Sequence, residues 1–265
     1  MPLAEDLRAL AIDIAREAGD LARRRRLDGV AIAATKSAVA DIVTEADREV
    51  EALIRARLAA ERPGDGFLGE ESGAATSDTD VTWVVDPIDG TVNYAYGIPA
   101  WAVSIAAVAG DPRPDAWEAL AGVVFSPANG ELFHAARGGG AWLAGARLTV
   151  NAATPAGALL ATGFGYDPAT HAGDLARVAR VMPLARDLRR IGAASLDLAF
   201  VAAGRLDGYF ERGLNPWDHA AGALLVTEAG GMIGGAGAGG RPNSDLLVAS
   251  GAALFERLLT AALGA

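Results

Sequence analysis

Apolar positions at the start of the chain recur at helical spacing. Leu3, Leu7, Leu10, Ile14, Ala18 and Leu21 form one stripe, and Glu5, Asp6, Arg8, Asp13, Arg16 and Glu17 occupy the other faces. That pattern predicts a long amphipathic helix. A second helix follows Thr44, with Val50, Leu53, Ile54 and Leu58 as its apolar face and Arg62-Pro63-Gly64 as its end. From residue 81 the period changes. The run 81–85 is short, β-branched and aromatic and predicts a strand that Pro87 stops. Further strands are predicted at 101–108, 121–125, 131–135 and 141–143, with turn chemistry at Asp111-Pro112, 127–130 and 138–140. The second half predicts strands at 159–162, 188–191 and 206–211 and helices at 172–182, 193–203 and 217–229. A glycine-heavy loop at 234–240 and a final helix at 252–263 complete it. Strand clusters interleaved with helices, with hairpins in the first half, predict an α/β fold of layered mixed sheets rather than a parallel doubly wound one. No repeat or linker interrupts the 265 residues, so one domain spanning 1–265 is expected.

Composition narrows the class. At 51% hydrophobic and 21% charged, the chain can bury a sizeable core. Its net charge of −10 argues against nucleic-acid binding, which depends on neutralising phosphates. The arginine run at 23–26 accordingly reads as a solvated helix end. Lys36 is the only lysine, which makes it conspicuous among the basic residues. The absence of cysteine excludes disulfides, thiolate metal sites and a cysteine nucleophile. The start MPLAEDLRAL carries acids where a secretory signal carries a basic stretch. Apolar stretches such as 100–109 are about half the ~20 residues of a membrane helix. A cytoplasmic protein without membrane contact is expected.

Several chemistries can be set aside. No GxGxxG follows a strand, and neither GxxxxGK[ST] nor GxSxG occurs. His134, His171 and His219 are scattered, and surface or partly buried structural roles are expected for them. Carboxylates carry the signal. Glu70 and Glu71 follow the apolar Phe67-Leu68; Asp86 and Asp89 bracket Pro87-Ile88 at a strand end; Asp218 opens a helix. Acids beside apolar strand ends are costly unless a cation neutralises them, and these motifs contain no arginine. All-oxygen ligands favour Mg²⁺, Mn²⁺ or Ca²⁺. Asp86 and Asp89 can converge on one cation, with the Ile88 carbonyl as a further ligand. Gly90-Thr91 supplies backbone amides suited to phosphate oxygens. Taken alone, Asp-Pro-Ile-Asp-Gly-Thr also reads as a strand-ending turn.

The ordered set Lys36-Ser37, Asp41-Ile42-Val43-Thr44-Glu45-Ala46-Asp47, Gly69-Glu70-Glu71-Ser72, Asp86-Pro87-Ile88-Asp89-Gly90-Thr91 and Trp217-Asp218-His219-Ala220-Ala221-Gly222 resembles the inositol monophosphatase family. These are Mg²⁺-dependent, typically lithium-sensitive sugar-phosphate phosphatases. The resemblance implies an α-β-α-β-α sandwich of two packed halves, roughly 1–150 and 151–265, with the active site between them. It also implies a homodimer, for which the Trp101 region and the alanine-rich surface leave room. Glu70, Asp86 and the Ile88 carbonyl would hold one Mg²⁺, and Asp86, Asp89 and Asp218 a second; a third lies near Glu70 in some relatives. The implied catalytic set is Asp47, Thr91 and Glu70. The implied substrate contacts are Asp89, Gly90, Thr91, Gly192, Ala193, Ala194, Glu211 and Asp218. Lys36, Asp41, Thr44 and Glu71 would support these residues from behind, although Asp41 and Thr44 also read as caps of the second helix.

For the substrate, the resemblance ranks inositol-1-phosphate first and histidinol-phosphate second, with broad sugar-phosphate use as a further alternative. A bisphosphate would need extra basic residues, and the motifs show none. Tyr166 stands where the inositol enzymes often carry a small serine after the glycine matching Gly165. A non-catalytic role in a transcription complex is the reading from another class, resting on the arginines at 23–26.

Overall fold

The computed structural model describes residues 2–30, 32–35, 42–75, 78–111, 113–152 and 157–264. Lys36, Asp41 and Pro112 lie outside them. The chain opens with α1 (Pro2–Asp28), the short strands β1 (Ile32–Thr35) and β2 (Ile42–Thr44), and α2 (Glu45–Glu61). Next come β3 (Gly66–Gly69), β4 (Gly73–Ala75), β5 (Val81–Asp89), α3 (Thr91–Tyr96) and β6 (Ala102–Ala109). The meander continues through β7 (Glu118–Ser126), β8 (Glu131–Ala136), β9 (Gly140–Leu143) and β10 (Ala146–Arg147). The remainder is β11 (Ala158–Thr162), α4 (His171–Val181), β12 (Ala185–Arg189), α5 (Ala194–Ala202), β13 (Gly208–Glu211) and α6 (Pro216–Glu228). It ends with β14 (Met232–Gly235), β15 (Leu247–Ser250) and α7 (Ala252–Leu263).

Two mixed sheets result. The larger has the order β10-β9-β8-β7-β6-β5-β3-β4 and is antiparallel except for β3 beside β5; the smaller runs β12-β11-β13-β15-β14. Helices α1 and α2 cover one face of the larger sheet, α5 and α6 fill the space between the sheets, and α4 and α7 cover the outer face of the smaller one. The architecture is an α-β-α-β-α sandwich. Strand β5 shows why: Trp83 and Val85 point to the α1/α2 core with Leu7, Ile14 and Ile54, whereas Val84 points to the central layer with Leu196 and Leu225. A strand buried on both faces reads as a nearly continuous apolar run, as 81–85 does apart from Thr82.

Three predicted boundaries are corrected. Pro87 does not stop β5, which runs on to Asp89; its pairing with β6 jumps from Asp86↔Ser104 to Asp89↔Ala102, so Pro87 and Ile88 oppose Val103 in a bulge. A bulge tolerates a residue without an N–H. The strand expected at 188–191 is β12, Ala185–Arg189, an edge strand whose mixed exposure weakens its pattern. The loop expected at 234–240 begins inside β14, where Leu246 leaves no room for a Cβ at Gly235. Trp101 itself is buried edge-on against Tyr94 at 4.9 Å, while Tyr96 and Ile98 of the same region are exposed. No described helix is long and apolar enough to cross a membrane. At the end of α1, Arg23 pairs with Asp20 at 3.6 Å and Arg25 with Glu49 at 2.5 Å, as a solvated helix end should.

The alanine-rich sequence lets the central helices meet closely. A Cβ on Gly222 of α6 would lie 2.6 Å from Leu198 Cβ on α5, and one on Gly122 of β7 would lie 3.0 Å from the Ala221 backbone. Gly222→Ala is therefore expected to destabilise the fold. Overpacking costs about 1–3 kcal/mol, against about 1 kcal/mol recovered from helix propensity. Urea unfolding reads the net sign, and an unchanged or raised midpoint would show that the two helices can part freely.

A candidate active site between the two sheets

Six backbone ends open on one cavity of about 430 Å³. From the larger sheet come Glu70 after β3, Asp86, Ile88 and Asp89 of the β5 bulge, and Gly90 with Thr91 at the start of α3. From the other side come Gly192, Ala193 and Ala194 before and in α5, Glu211 ending β13, and Asp218 in the first turn of α6. Residues up to 148 positions apart thus share one wall.

Local structure explains each placement. Gly90 adopts φ +90°, and a Cβ there would lie 2.9 Å from Ala100 O and 3.1 Å from Gly192 O, so only glycine fits. Asp89 Oδ2 accepts from Ser195 N at 2.7 Å and from Ser195 Oγ at 2.5 Å, and its Oδ1 accepts from Ala194 N at 3.2 Å. The carboxylate thereby anchors the start of α5. Asp218 Oδ2 accepts from Asn215 N at 2.6 Å in a capping box that fixes the entry to α6. Asp86 Oδ1 accepts from Ile88 N at 3.0 Å.

Asp47 and Thr44 stand behind this wall. Thr44 caps α2, with Thr44 N and Oγ1 donating to Asp47 Oδ2 at 2.8 and 2.5 Å. The other oxygen, Oδ1, lies 3.2 Å from the Thr91 hydroxyl, which is also 3.0 Å from Ile88 O. Capping and site contact are thus both performed by one side chain. One helical turn on, the buried Glu51 accepts from Glu71 N at 2.8 Å, steadying the turn that carries Glu70. Neither Glu71 nor Thr44 lines the cavity.

Burial and the mutual repulsion of the acids dominate the electrostatics, with Arg190 opposing them at Asp89 and Glu211. Burial first, then the charges of Glu70, Asp89 and Asp218, push Asp86 well above the ordinary carboxylate range; burial and Asp89 do the same to Asp218. Burial raises Asp47 and Asp89 to about 6 each, opposed by their hydrogen bonds, and raises Glu211 to about 7. An all-oxygen, acidic, buried donor set fits a hard divalent cation. Among the described residues, no three Asp, Glu, His or Cys side chains form a ready-made group around one point.

Proton linkage gives a sign. Asp47 and Glu211 titrate higher in the folded chain than the ordinary values of about 4, so their contribution to stability is present below pH 4 and lost as pH rises through 6 to 7. Cation-free protein is expected to be more stable at pH 5 than at pH 8 by on the order of a few kcal/mol, and so to melt at a higher temperature at pH 5. Thermal unfolding in chelator checks this, and a higher midpoint at pH 8 would reverse the assignment.

Sequence reasoning missed several contributors. Arg190 and Arg212 line the cavity, although the motifs themselves hold no basic residue. They come from loops with no motif of their own. Arg212 turns to Asp174 at 3.8 Å, while Glu211 accepts from the Tyr209 hydroxyl at 2.5 Å and lies against Gly163. Asn93 Nδ2 donates to Ala100 O at 2.7 Å and Ile191 O at 2.9 Å, tying the two sides together. Ser195 and Glu51 carried no signal beyond their neighbours' motifs. The histidines stand outside the chemistry, though His219 is fully buried rather than superficial; burial lowers it to about 4.

Residues 3–263 match the sequence profile of the inositol monophosphatase family. The inositol-1-monophosphatase SuhB of Mycobacterium tuberculosis is 42% identical over 281 aligned positions, covering 96% of this chain and 92% of that protein. The Nus factor SuhB of Escherichia coli is 42% identical across 84% of this chain and 83% of its own length. The crystal structure of the extragenic suppressor protein suhB from Bartonella henselae superposes with a TM-score of 0.87 at 35% identity, covering 97% of this chain and 98% of that one. Profile, identity and fold agree over nearly the full length: the chain belongs to the inositol monophosphatase family.

Proposed function

We propose that this phosphatase hydrolyses inositol-1-phosphate, or a similar polyol or sugar phosphate, to the free alcohol and phosphate by direct attack of water. The observation that carries the proposal is the meeting in one cavity of four carboxylates (Glu70, Asp86, Asp89, Asp218) with the Gly90-Thr91 turn, backed by the Asp47–Thr91 contact. In this reading Glu70, Asp86 and the Ile88 carbonyl would hold one Mg²⁺, and Asp86, Asp89 and Asp218 would hold a second, with a third position near Glu70. Such cations lower the pKa of water and offset charge on phosphoryl and leaving oxygens.

The chain's own residues do the rest. Gly90 and Thr91 amides receive the phosphate oxygens. The Thr91 hydroxyl orients the attacking water, and Asp47, raised to about 6, is ionised yet basic enough near neutral pH to take its proton. The new P–O bond forms from the water oxygen as the ester P–O bond breaks and the alcohol departs, so no phosphoenzyme arises. Gly192, Ala193 and Ala194 border the sugar ring, and Glu211 accepts hydrogen bonds from its hydroxyls. We place the protein in the cytoplasm as a homodimer. The name inositol-1-monophosphatase on the mycobacterial relative supports this substrate ranking.

The test is phosphate release over inositol-1-phosphate, histidinol-phosphate and fructose-1,6-bisphosphate. Turnover is expected with Mg²⁺, none in excess chelator, and inhibition by millimolar Li⁺. Full activity in chelator would overturn the metal assignment. Insensitivity to tens of millimolar Li⁺ would remove the lithium expectation alone.

A further inference from the structure

A second cleft of about 420 Å³ adjoins the candidate active site and shares Gly90, Phe164, Gly165, Tyr166, Arg190 and Gly192 with it. Beyond this junction its walls are Val92, Leu175 and His171. Leu175 and Tyr166 are large side chains that remain 59% and 47% exposed. His171 Nε2 lies 2.9 Å from Gly165 O and so braces the loop that presents Tyr166. The active-site cavity is rimmed by acids, whereas this cleft carries no carboxylate. At the junction stands Arg190, which makes no ion pair or hydrogen bond among the described residues. Its guanidinium lies over Gly192, whose carbonyl oxygen borders Gly90 of the phosphate turn.

We propose that this cleft is a leaving-group subsite, receiving a flat apolar ring on the alcohol part of a phosphomonoester, with Arg190 reading an acidic group on that ring. The inference rests on the phosphatase reading and extends it from compact polyol esters to aryl-bearing, anionic ones. Two separate features support it. Continuity with the catalytic cavity means that one ester can span both spaces, its phosphate at Gly90-Thr91 and its ring between Tyr166, Val92 and Leu175. Charge complementarity comes from Arg190, whose planar donor fork suits a carboxylate and whose face suits an aromatic ring. Glu211 lines only the polar cavity, so a polyol and an aryl alcohol would be read by different residues of one site.

The experiment compares primary-alkyl phosphates with matched leaving groups: n-propyl, 3-phenylpropyl and 3-(4-carboxyphenyl)propyl phosphate, with inositol-1-phosphate alongside. In Mg²⁺-loaded wild type, the phenyl ester is expected to exceed the propyl ester in kcat/KM by about tenfold through ring burial. The carboxylate is expected to add about tenfold more. Leu175→Asp should collapse the phenyl-to-propyl ratio, and Arg190→Gln should collapse the carboxyphenyl-to-phenyl ratio while leaving the ring preference in place. Wild type that turns over inositol-1-phosphate but shows no ring preference overturns the subsite and leaves the phosphatase reading standing. A ring preference that survives both Leu175→Asp and Tyr166→Ala also overturns it, because the ring then sits elsewhere. So does a Leu175→Asp variant that changes oligomeric state by size exclusion without moving the ratio, since the cleft is then a contact between copies of the chain. No turnover of any ester with Mg²⁺ overturns the phosphatase reading and the subsite together.

Discussion

Asp89→Asn is expected to lower kcat by ~10² or more while the protein still folds. Asp89 meets two demands at once. Its two oxygens accept from Ala194 N, Ser195 N and Ser195 Oγ, which hold the start of α5, and its charge joins Asp86 and Asp218 at the cavity floor. Asparagine keeps the shape and one acceptor, and it relieves repulsion in a site where burial already raises the carboxyl to about 6. The fold therefore loses one clamp and gains from the removed charge, and the two effects oppose each other. Cation affinity has no such compensation, because the neutral amide withdraws a full negative charge from a hard cation's ligand set. The measurements are kcat, the Mg²⁺ concentration for half-maximal rate, and the melting temperature. A kcat within tenfold of wild type at unchanged Mg²⁺ dependence would remove Asp89 from the metal site. Ser195→Ala serves as the control: it loosens the same clamp without touching the charge, so a matching loss there would assign the effect to α5 placement.

Glu211→Gln is expected to raise KM for inositol-1-phosphate about tenfold or more, with little effect on n-propyl phosphate. Tyr209 donates to Oε2, which leaves Oε1 as the oxygen free to accept from a substrate hydroxyl. A charge-assisted bond of this kind contributes about 1.5–3 kcal/mol, which converts to roughly tenfold to a hundredfold. Burial holds Glu211 at about 7, so the acceptor is the ionised form above that pH and the protonated form below it. KM for the polyol ester should therefore climb as pH falls through 7 in wild type, and the variant should lack that climb. Equal losses on both esters would make Glu211 a general support of the site. Unchanged kinetics on both would assign polyol recognition to other residues.

Much of this molecule is legible locally. Helices α1, α2 and α7 and the strands of the β6–β9 meander follow from periodicity, because each has a one-sided or two-sided apolar pattern long enough to repeat. Asp86, Asp89, Gly90 and Thr91 line one cavity for a local reason too: they are neighbours in sequence, and a bulge followed by a helix start keeps them together. Short elements escaped. β3, β4, β14 and β15 span three or four residues each, too few to show a period, and glycine dilutes three of them.

What the amino-acid sequence determined by itself is the inventory of chemistry: acids without internal cations, a glycine turn for phosphate, and neither a cysteine nor a GxSxG nucleophile elbow. Tertiary structure alone decided who supports whom. Asp89 is clamped by Ser195 from 106 residues away, Thr91 meets Asp47 across 44, and Asn93 joins Ile191 across 98. It also brought Arg190 to the junction of two cavities, although no motif marks that arginine. Periodicity reports which face of a single element is apolar, and it is silent on which distant backbone amide or hydroxyl will stand opposite a buried carboxylate. That partner is chosen only when two sheets close on a shared helical layer and every buried polar group must find a donor or acceptor within reach.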